Sequence, residues 1–263
     1  MNVELRGRLD SSAAFLVRVI GLGVFILGWW LVSSAVAKPG VMPSPIKVFS
    51  AIPTLLMSSN FWGNVSYSLL LTIVSAVEAA MIALPLGFAI GLIPSARAVF
   101  EKPLAALRYL PLTALIGLFL LWAGIATNMK VQFLTVCSLV YFLPAVVNRI
   151  DGVSQVHLDT IKTLGANNWQ TLKKVYLPAT LSAFTSDAIV LMPIGWTYII
   201  IAEIINLGDG GVGAMIFTSS RRSRLDEVFA LLLIIIAIGF IEDRILTYLD
   251  KKVFPYKYAA ERG

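Results

Sequence analysis

Long runs of apolar residues without a charged side chain dominate this chain and limit the folds that it can adopt. Only 14% of its 263 residues are charged, whereas soluble domains usually carry about 25%. A helix needs about 20 mostly apolar residues to cross the hydrocarbon core of a bilayer, and several runs here reach that length. The sequence therefore predicts an all-helical integral membrane protein with one membrane domain over residues 1–263.

The apolar runs predict about six membrane spans. Five are clear, and they cover residues 19–37, 66–93, 109–129, 131–148 and 180–205. A sixth run, residues 228–241, is too short alone and has to extend over residues 225–246. The first run also resembles a secretory signal because Ala35-Val36-Ala37 matches a small-residue cleavage site, but it exceeds the roughly 7–15 residues of a signal core. We therefore expect it to be a span.

The distribution of Lys and Arg predicts the orientation, because cytoplasmic loops carry an excess of both. If the N-terminus lies inside, six spans place most of the basic residues, including Arg97, Arg149 and Lys174, on the cytoplasmic side. Both termini and the loop of residues 149–178 are then cytoplasmic. This bias accounts for the net charge of +6, so the charge indicates a lipid membrane rather than a nucleic acid as the surroundings.

A polar segment between two spans, residues 157–178, has the pattern of two short helices. Leu158, Ile161 and Leu164 recur at helical spacing, and Gly165 suits the left-handed position after a helix. The second helix has a capping residue, an apolar face and a proline that closes it: Asn167 or Asn168, then Trp169, Leu172 and Tyr176, and Pro178. Two capped helices between spans indicate a docking site rather than a simple connection.

This segment resembles the cytoplasmic coupling loop of binding-protein-dependent ABC importer permeases. The family signature runs approximately Glu-Ala-Ala, three residues, Gly, nine residues, an apolar residue, any residue and Leu-Pro. Gly165 and Leu177-Pro178 match it, whereas Asp159-Thr160-Ile161 keeps only the acid of the opening triplet. The resemblance implies that an ATPase docks on Asp159, Thr160, Leu164, Gly165, Ala166, Asn167, Trp169, Leu177 and Pro178.

Other segments are similar to the nitrate, sulfonate, taurine and bicarbonate branch of this family. They are Met42-Pro43-Ser44-Pro45, residues 111–125, and Ala202-Glu203-Ile204-Ile205 with the glycine run of residues 208–213. An amphipathic helix is predicted after the proline element, with one face formed by Ile46, Phe49, Ile52, Leu55 and Leu56. The branch usually has Gly and Arg where this chain has Asp187 and Ile189, which removes positive charge from a candidate path.

The resemblance implies the permease subunit of an ATP-driven importer in a bacterial inner membrane. Its expected partners are ABC ATPase subunits, which bind ATP and Mg, a second permease copy or homologue, and an extracytoplasmic substrate-binding protein. The expected substrate is a small polar solute such as nitrate, bicarbonate, a sulfonate or taurine, and the alternative is a vitamin precursor or another non-anionic solute. An ion-gradient-driven secondary transporter and a membrane subunit without transport remain as alternatives.

Catalytic and metal-binding motifs are missing from the sequence. There is no Gly-x-x-x-x-Gly-Lys-Ser/Thr loop to hold nucleotide phosphates. One His and one Cys in the whole chain leave no credible transition-metal site. We therefore expect neither an enzyme nor a cofactor bound by this chain.

Three carboxylates inside predicted spans are candidates for the substrate path or its gate, because a charge at the bilayer centre costs about 2.5–3.5 kcal/mol. For Glu78 the alternative is a role in helix packing. Asp187 could either line the path or have a structural role, and Glu203 is expected near an outer gate. The resemblance adds Thr113 and Trp196.

An arginine cluster falls on the predicted outer side. Arg221, Arg222 and Arg224 are candidates for docking an acidic patch of a binding protein. The alternative is a solvated loop balanced by Asp226 and Glu227.

Overall fold

The structure, a computed structural model, describes residues 10–36 and 41–261, with the backbone alone for residues 259–261. All regular elements in these ranges are helical, which confirms the predicted all-helical class for this part of the chain. The helices are α1 (Ser11–Ala35), α2 (Pro45–Leu56), α3 (Phe61–Leu92), α4 (Pro94–Leu107), α5 (Ile116–Ala123), α6 (Thr127–Asp151), α7 (Gln155–Thr163), α8 (Asn168–Thr171), α9 (Leu177–Leu191), α10 (Pro193–Ile205), α11 (Val212–Arg221) and α12 (Leu225–Val253).

Several of these helices could cross a membrane. Among the described residues, α1, α3 and α6 are each long and apolar enough, and two bent pairs raise the number to five if each pair is one span. The pairs are Pro94–Leu107 with Leu112–Ala123, bent by 96°, and Asn168–Leu191 with Pro193–Ile205, bent by 47°. The chain therefore has the helices of a multi-pass membrane protein.

The predicted third span, residues 109–129, is wrong as a single helix. This segment forms a 3-10 turn, Leu112–Leu115, and then continues as α5. Gly124, which follows α5, lies in the left-handed region with φ of +68°. Met129 already belongs to α6. Pro111 and the left-handed glycine interrupt the hydrogen-bond ladder, and hydrophobicity alone does not reveal such breaks.

The predicted sixth span lies in α12, which extends beyond it to Val253. This helix is not among the candidate spans within the described residues. Glu242, Asp243 and Arg244 follow its apolar stretch closely and reduce the length free of charge.

The chain divides into two compact units, Met1–Ser59 with Ile216–Ile234 and Asn60–Met215 with Ile235–Gly263. In the first unit, Trp29 connects α1 to its surroundings. Its indole Nε1 donates to the Pro43 carbonyl at 3.1 Å, and its ring lies 6.0 Å from that of Phe229 and 6.5 Å from that of Phe49. No residue of α1 is fully buried, which suits a helix surrounded by lipid or by another chain.

The amphipathic helix predicted after the proline element is present as α2, but it buries a different face. Its buried residues are Pro45, Val48, Ala51 and Leu55, whereas Ile46 is 73% exposed and Phe49 50% exposed. Pro45 begins the helix at N1 or N2. Only Leu55 of the predicted face is therefore fully buried.

In the second unit, α3 packs closely along α6. The core contains Ala76, Ala79 and Ala83 of α3 beside Phe142 and Val146 of α6. A methyl group added at Gly87 would lie 2.4 Å from Val146 Cγ1, and one at Gly91 would lie 2.8 Å from Ile150 Cδ1. Small residues bring the two backbones together, as is usual for helices that associate in membranes.

Candidate functional site

The predicted coupling loop forms a rigid exposed turn between α7 and α8. Gly165 has φ of +76°, as predicted for a left-handed cap. Its amide donates to the Lys162 carbonyl at 2.9 Å, and the Ala166 amide donates to the Ile161 carbonyl at 3.2 Å. These two bonds form a Schellman motif, which satisfies carbonyls at the end of α7.

A reciprocal capping box begins α8. Asn167 Oδ1 accepts from the Gln170 amide at 2.9 Å, and Gln170 Oε1 accepts from the Asn167 amide at 2.8 Å. The structure thus selects Asn167 over Asn168 as the cap. Because each side chain satisfies an otherwise unpaired amide, the turn after Gly165 is held from both sides.

Two apolar side chains of this loop point outward. Leu164 is 79% exposed and Trp169 is 67% exposed. On α7, Asp159 is exposed and accepts from Gln155 Nε2 at 3.0 Å, and Thr160 is exposed beside it. A rigid turn that exposes a leucine and a tryptophan offers an apolar docking surface.

The prediction that Pro178 closes the second helix is wrong. A π turn, Leu172–Tyr176, follows α8 and leads directly into α9, where Pro178 occupies N1 or N2. The π turn shifts the hydrogen-bond register just before a residue that has no amide hydrogen, so the helix passes the proline. Leu177 and Pro178 are both exposed, and the loop continues without a break into α9.

Glu203 is fully buried at the C-terminal end of α10 and binds the glycine run. Its Oε1 accepts from Ser68 Oγ at 2.6 Å, and its Oε2 accepts from the Gly213 amide at 2.7 Å. Ser68 Oγ also accepts from the Val212 amide at 2.9 Å, and Asn64 Oδ1 accepts from the Gly211 amide at 2.7 Å. Two side chains of α3 and one of α10 therefore hold three consecutive amides.

Two of these glycines have no space for a side chain. At Gly211, which has φ of +103°, an added methyl would lie 2.2 Å from Glu203 Cδ. At Gly213 it would lie 2.7 Å from the Ile200 carbonyl oxygen. The glycine run thus permits close approach of the backbone to the carboxylate.

Lys130 binds the same loop from α6 and is also fully buried. Its Nζ lies 3.0 Å from Asp209 Oδ2, donates to the Asn206 carbonyl at 3.4 Å and lies 5.3 Å from the centre of the Tyr67 ring. We call Asn64, Ser68, Lys130 and Glu203, together with residues 206–213, the glycine-loop clamp. Lys130 lies between the predicted spans 109–129 and 131–148, and its pairing with Asp209 was not predicted from the sequence.

The other predicted path residues lie at separate places in the fold. Glu78 is exposed in the middle of α3, and its Oε2 accepts from Thr135 Oγ1 at 3.0 Å. Trp196 Nε1 donates to Glu242 Oε2 at 2.9 Å. Thr113 is exposed in the 3-10 turn before α5. These positions therefore do not form one cluster with Glu203.

Asp187 is paired with Arg149 across α6 and α9. Arg149 Nε lies 2.6 Å from Asp187 Oδ2, and its Nη2 lies 2.5 Å from Oδ1. The pair borders a cavity of about 390 Å³ that Tyr141 and Asn148 also line. The sequence did not predict this pairing, in which Arg149 neutralises the acid in the cavity.

The arginine cluster is partly engaged by its own acids. Arg224 lies 2.9 Å from Glu227 Oε1 and 3.6 Å from Asp226 Oδ1. Arg221 lies over the Phe217 ring at 5.8 Å. Arg221 and Arg222 are exposed, so they remain the better candidates for docking.

Comparison with known proteins places these features in a family. Residues 15–255 match the family described as binding-protein-dependent transport system inner membrane component. The chain belongs to this family. It is an ABC transporter permease, and the predicted family is thereby confirmed.

Relatives of this permease include three with named transport systems. It is 25% identical over 262 residues to the taurine transport system permease protein of Escherichia coli, covering 96% of this chain and 94% of the relative. It is 24% identical to the putative aliphatic sulfonates transport permease protein of Bacillus subtilis, covering 99% of each. It is also 24% identical to the bicarbonate transport system permease protein of Synechocystis, covering 90% of this chain and 88% of the relative.

Solved structures share the permease fold. The MetNI methionine ABC transporter in inward-facing conformations has a TM-score of 0.57 at 19% identity and covers 73% of this chain and 99% of its own. A bacterial ABC transporter involved in import of the acidic polysaccharide alginate has a TM-score of 0.58 at 13% identity. The match covers 92% of this chain and 97% of the transporter's chain. At such identities the likeness concerns the fold alone.

Proposed function

We propose that this permease forms the substrate pathway of a bacterial inner-membrane importer and receives the ATP-driven displacement of separate ATPase subunits through residues 149–178. The observation that carries the proposal is the rigid turn at Gly165. A Schellman motif and a capping box fix it, and Leu164 and Trp169 are exposed on it. The turn continues through the π turn into α9, so a push on the loop would be passed into the membrane domain.

The remaining partners follow from the family. Two ATPase subunits, with ATP and Mg bound to them, would dock on the loops of two permease copies or of one copy and a homologue. An extracytoplasmic binding protein would deliver substrate at the opposite side. Closure of the ATPases would then move the loops and switch the pathway from inward-facing to outward-facing. Membership of an ABC family supports this scheme over an ion-gradient-driven transporter.

The topology that this scheme needs has six spans with both termini in the cytoplasm. The bent pairs supply two of the spans, and α12 supplies the sixth over residues 225–246. Support comes from the excess of Lys and Arg on the side of the coupling loop.

The path candidates differ in how well the structure supports them. Glu78 is the strongest, because an exposed carboxylate in the middle of a span is costly against lipid unless it faces water or another protein. We place it on the pathway or on the face toward the second permease. Asp187 is a candidate for the inner part of the path, and Glu203 with the glycine-loop clamp is a candidate for the outer gate.

The proposed substrate is a small polar solute such as taurine, another sulfonate, nitrate or bicarbonate. The names of the relatives support this range. The pairing of Arg149 with Asp187 favours the alternative, a vitamin precursor or another non-anionic solute, because the pair leaves no net positive charge. A thermal-unfolding screen of the cognate binding protein against both classes would decide, because a ligand that binds only the folded state stabilises it.

The docking assignment is tested by Gly165→Val. A β-branched residue at φ of +76° stores about 1–3 kcal/mol of strain, so ATPase binding should weaken by roughly tenfold while membrane insertion stays normal. The matched control is Gly23→Val in α1, where an added methyl meets nothing within 4 Å. Co-elution of the ATPase with each purified variant gives the result. Wild-type ATPase binding by Gly165→Val would contradict the assignment.

A further inference from the structure

A network of polar side chains joins the C-terminal segment to α9 at one end of the second unit. Asp250, near the end of α12, is 5% exposed. It accepts from Thr185 Oγ1 at 2.6 Å, from Lys257 Nζ at 2.8 Å and from Tyr258 Oη at 2.5 Å. Lys257 Nζ also donates to the Ser182 carbonyl at 2.8 Å. We call these five residues the C-terminal latch.

The latch connects α9 to the end of α12 and to the segment that follows it, which are 65 or more residues away in sequence. Ser182 and Thr185 lie in α9, which starts directly after the coupling loop. Asp250 belongs to α12, and Lys257 and Tyr258 belong to the 3-10 segment Pro255–Glu261. The C-terminal segment thus folds back over the end of α12 and holds it to the helix that leaves the coupling loop.

An open groove beside the latch gives this connection its importance. This groove of about 470 Å³ lies between α3, α9 and α12, and Ala188, Ile189, Ile238 and Ile241 are among the residues that line it. Thr185 and Asp250 line the same groove. Side chains of α9 and α12 therefore do not fill the space between them, and close packing cannot transmit a displacement there. The polar contacts of the latch bridge the two helices instead.

The hydrogen bonds of the latch are of a strong type, which suits a stable connection between two helices. A buried carboxylate is costly unless charged and neutral donors compensate it, and Asp250 receives one charged and two neutral donors. Hydrogen bonds to charged groups are stronger than those between neutral groups. Asp250 is the acceptor that Thr185, Lys257 and Tyr258 share, so the network depends on this one carboxylate.

We propose that the C-terminal latch makes α12 move together with α9, so that Asp250 and Lys257 act as positioning residues that pass the displacement of the coupling loop to α12. This inference rests on the proposed function, because it assigns a task to the displacement that ATPase docking would produce. It extends the pathway of coupling from the loop to the last helix and to the C-terminal segment.

The test compares the latched protein with Lys257→Met in the permease assembled with its ATPase. Cys137→Ser provides a background without native thiols, and nitroxide labels are attached at Lys173→Cys, before α9, and Lys252→Cys, on α12, both exposed positions. With the latch intact, the distance between the labels should stay the same with no nucleotide and with ATP plus vanadate. In Lys257→Met the distribution should broaden and shift between these states. Lys102→Met, an exposed lysine of α4, is the matched control.

A second readout is the stimulation of ATP hydrolysis by the binding protein. Coupling between distant sites is typically worth about 5–150-fold, so we expect Lys257→Met to reduce the stimulation by about fivefold or more. If Lys257→Met fails to fold, Thr185→Val combined with Tyr258→Phe removes two neutral donors and keeps the ion pair, and the same broadening is expected. Unchanged label distances and unchanged stimulation in a folded latch variant would overturn the proposal.

The same labels separate the latch from the proposed function. A permease that binds no ATPase would contradict the proposed docking function. The isolated permease would still test the latch proposal. The distribution of distances between the two labels should be narrow in the wild type and broad in Lys257→Met. Equal widths would reject the latch even if the ATPase binds.

Discussion

Glu203 illustrates how a single carboxylate can organise a loop inside a membrane protein. It is fully buried, yet both of its oxygens accept hydrogen bonds, one from Ser68 and one from the Gly213 amide. Because donors surround it, the carboxylate is satisfied only as an acceptor. The predicted outer-gate role therefore has a geometric basis in the glycine-loop clamp, and it stays a prediction until transport is measured.

Glu203→Gln should weaken the hydrogen bonds of this clamp, because glutamine has nearly the same size as glutamate but no negative charge. Glutamine brings an amide NH₂ to a site where donors already point inward, so one hydrogen bond of about 1.5–3 kcal/mol is lost. We expect basal ATP hydrolysis to rise and substrate accumulation to fall in proteoliposomes that contain the ATPase and the binding protein. Glu101→Gln in α4, at an exposed position, is the control. If both rates match the wild type, Glu203 has a packing role only.

The pair of Lys130 and Asp209 leads to a separate prediction about stability. The Lys130 ammonium is fully buried, whereas Asp209 is partly exposed. Lys130→Met leaves Asp209 without its partner, and because water reaches Asp209 the cost should lie below that of breaking a fully buried pair, which is about 3–5 kcal/mol. The temperature of thermal unfolding should therefore fall clearly in Lys130→Met, and the double variant with Asp209→Asn should recover part of the loss. Lys47→Met, an exposed lysine of α2, should change nothing. Equal stability of Lys130→Met and the wild type would contradict the buried pair.

At the scale of elements, the coupling loop is held by two independent devices, the Schellman motif and the capping box. Asn167→Ala removes one half of the box and Gln170→Ala the other, and the loss of a helix cap costs about 0.5–2 kcal/mol. Because the two side chains act reciprocally, the double variant should weaken ATPase binding by less than the sum of the single effects. Asn168→Ala is the matched control.

Titration of the ATPase against each variant in nanodiscs gives the binding constants for this cycle. Additive effects would show that the box does not act as one unit. Binding unaffected by either single variant would show that the rigidity of the turn comes from Gly165 and the Schellman motif alone.

Local sequence patterns predicted these turns well but not the path of the helices through them. Gly165 and Asn167 are recognisable because only a few residue types suit a left-handed cap and an N-cap. The continuation past Pro178 was predicted wrongly because a π turn depends on tertiary packing and has no sequence signature of its own. Pro111 and Gly124, by contrast, were visible in the sequence as helix breakers, but the prediction of the span at residues 109–129 relied on its uninterrupted hydrophobicity.

At the scale of the whole molecule, family membership and membrane class could be predicted from sequence, whereas the pairing of charges could not. Lys130 and Asp209 lie 79 residues apart, and Arg149 was predicted only as a cytoplasmic basic residue, without its partner Asp187. Each charge near a span has to find a partner, but which partner it finds depends on how the helices pack. The buried face of α2 was misjudged for the same reason, since a hydrophobic stripe beside a membrane can face either lipid or protein.

The orientation of the whole permease is a prediction that reporter fusions can check directly. The excess of Lys and Arg places Lys174, in the π turn, on the cytoplasmic side and Ser220, near the end of α11, on the outer side. Alkaline phosphatase is active only outside and green fluorescent protein only inside, so a fusion after Lys174 should be fluorescent and a fusion after Ser220 should have phosphatase activity. Between these positions the chain crosses once if Asn168–Leu191 and Pro193–Ile205 form one bent span. If both reporters fall on one side, this pair is a re-entrant hairpin, Arg221 and Arg222 are cytoplasmic, and they cannot dock an external binding protein.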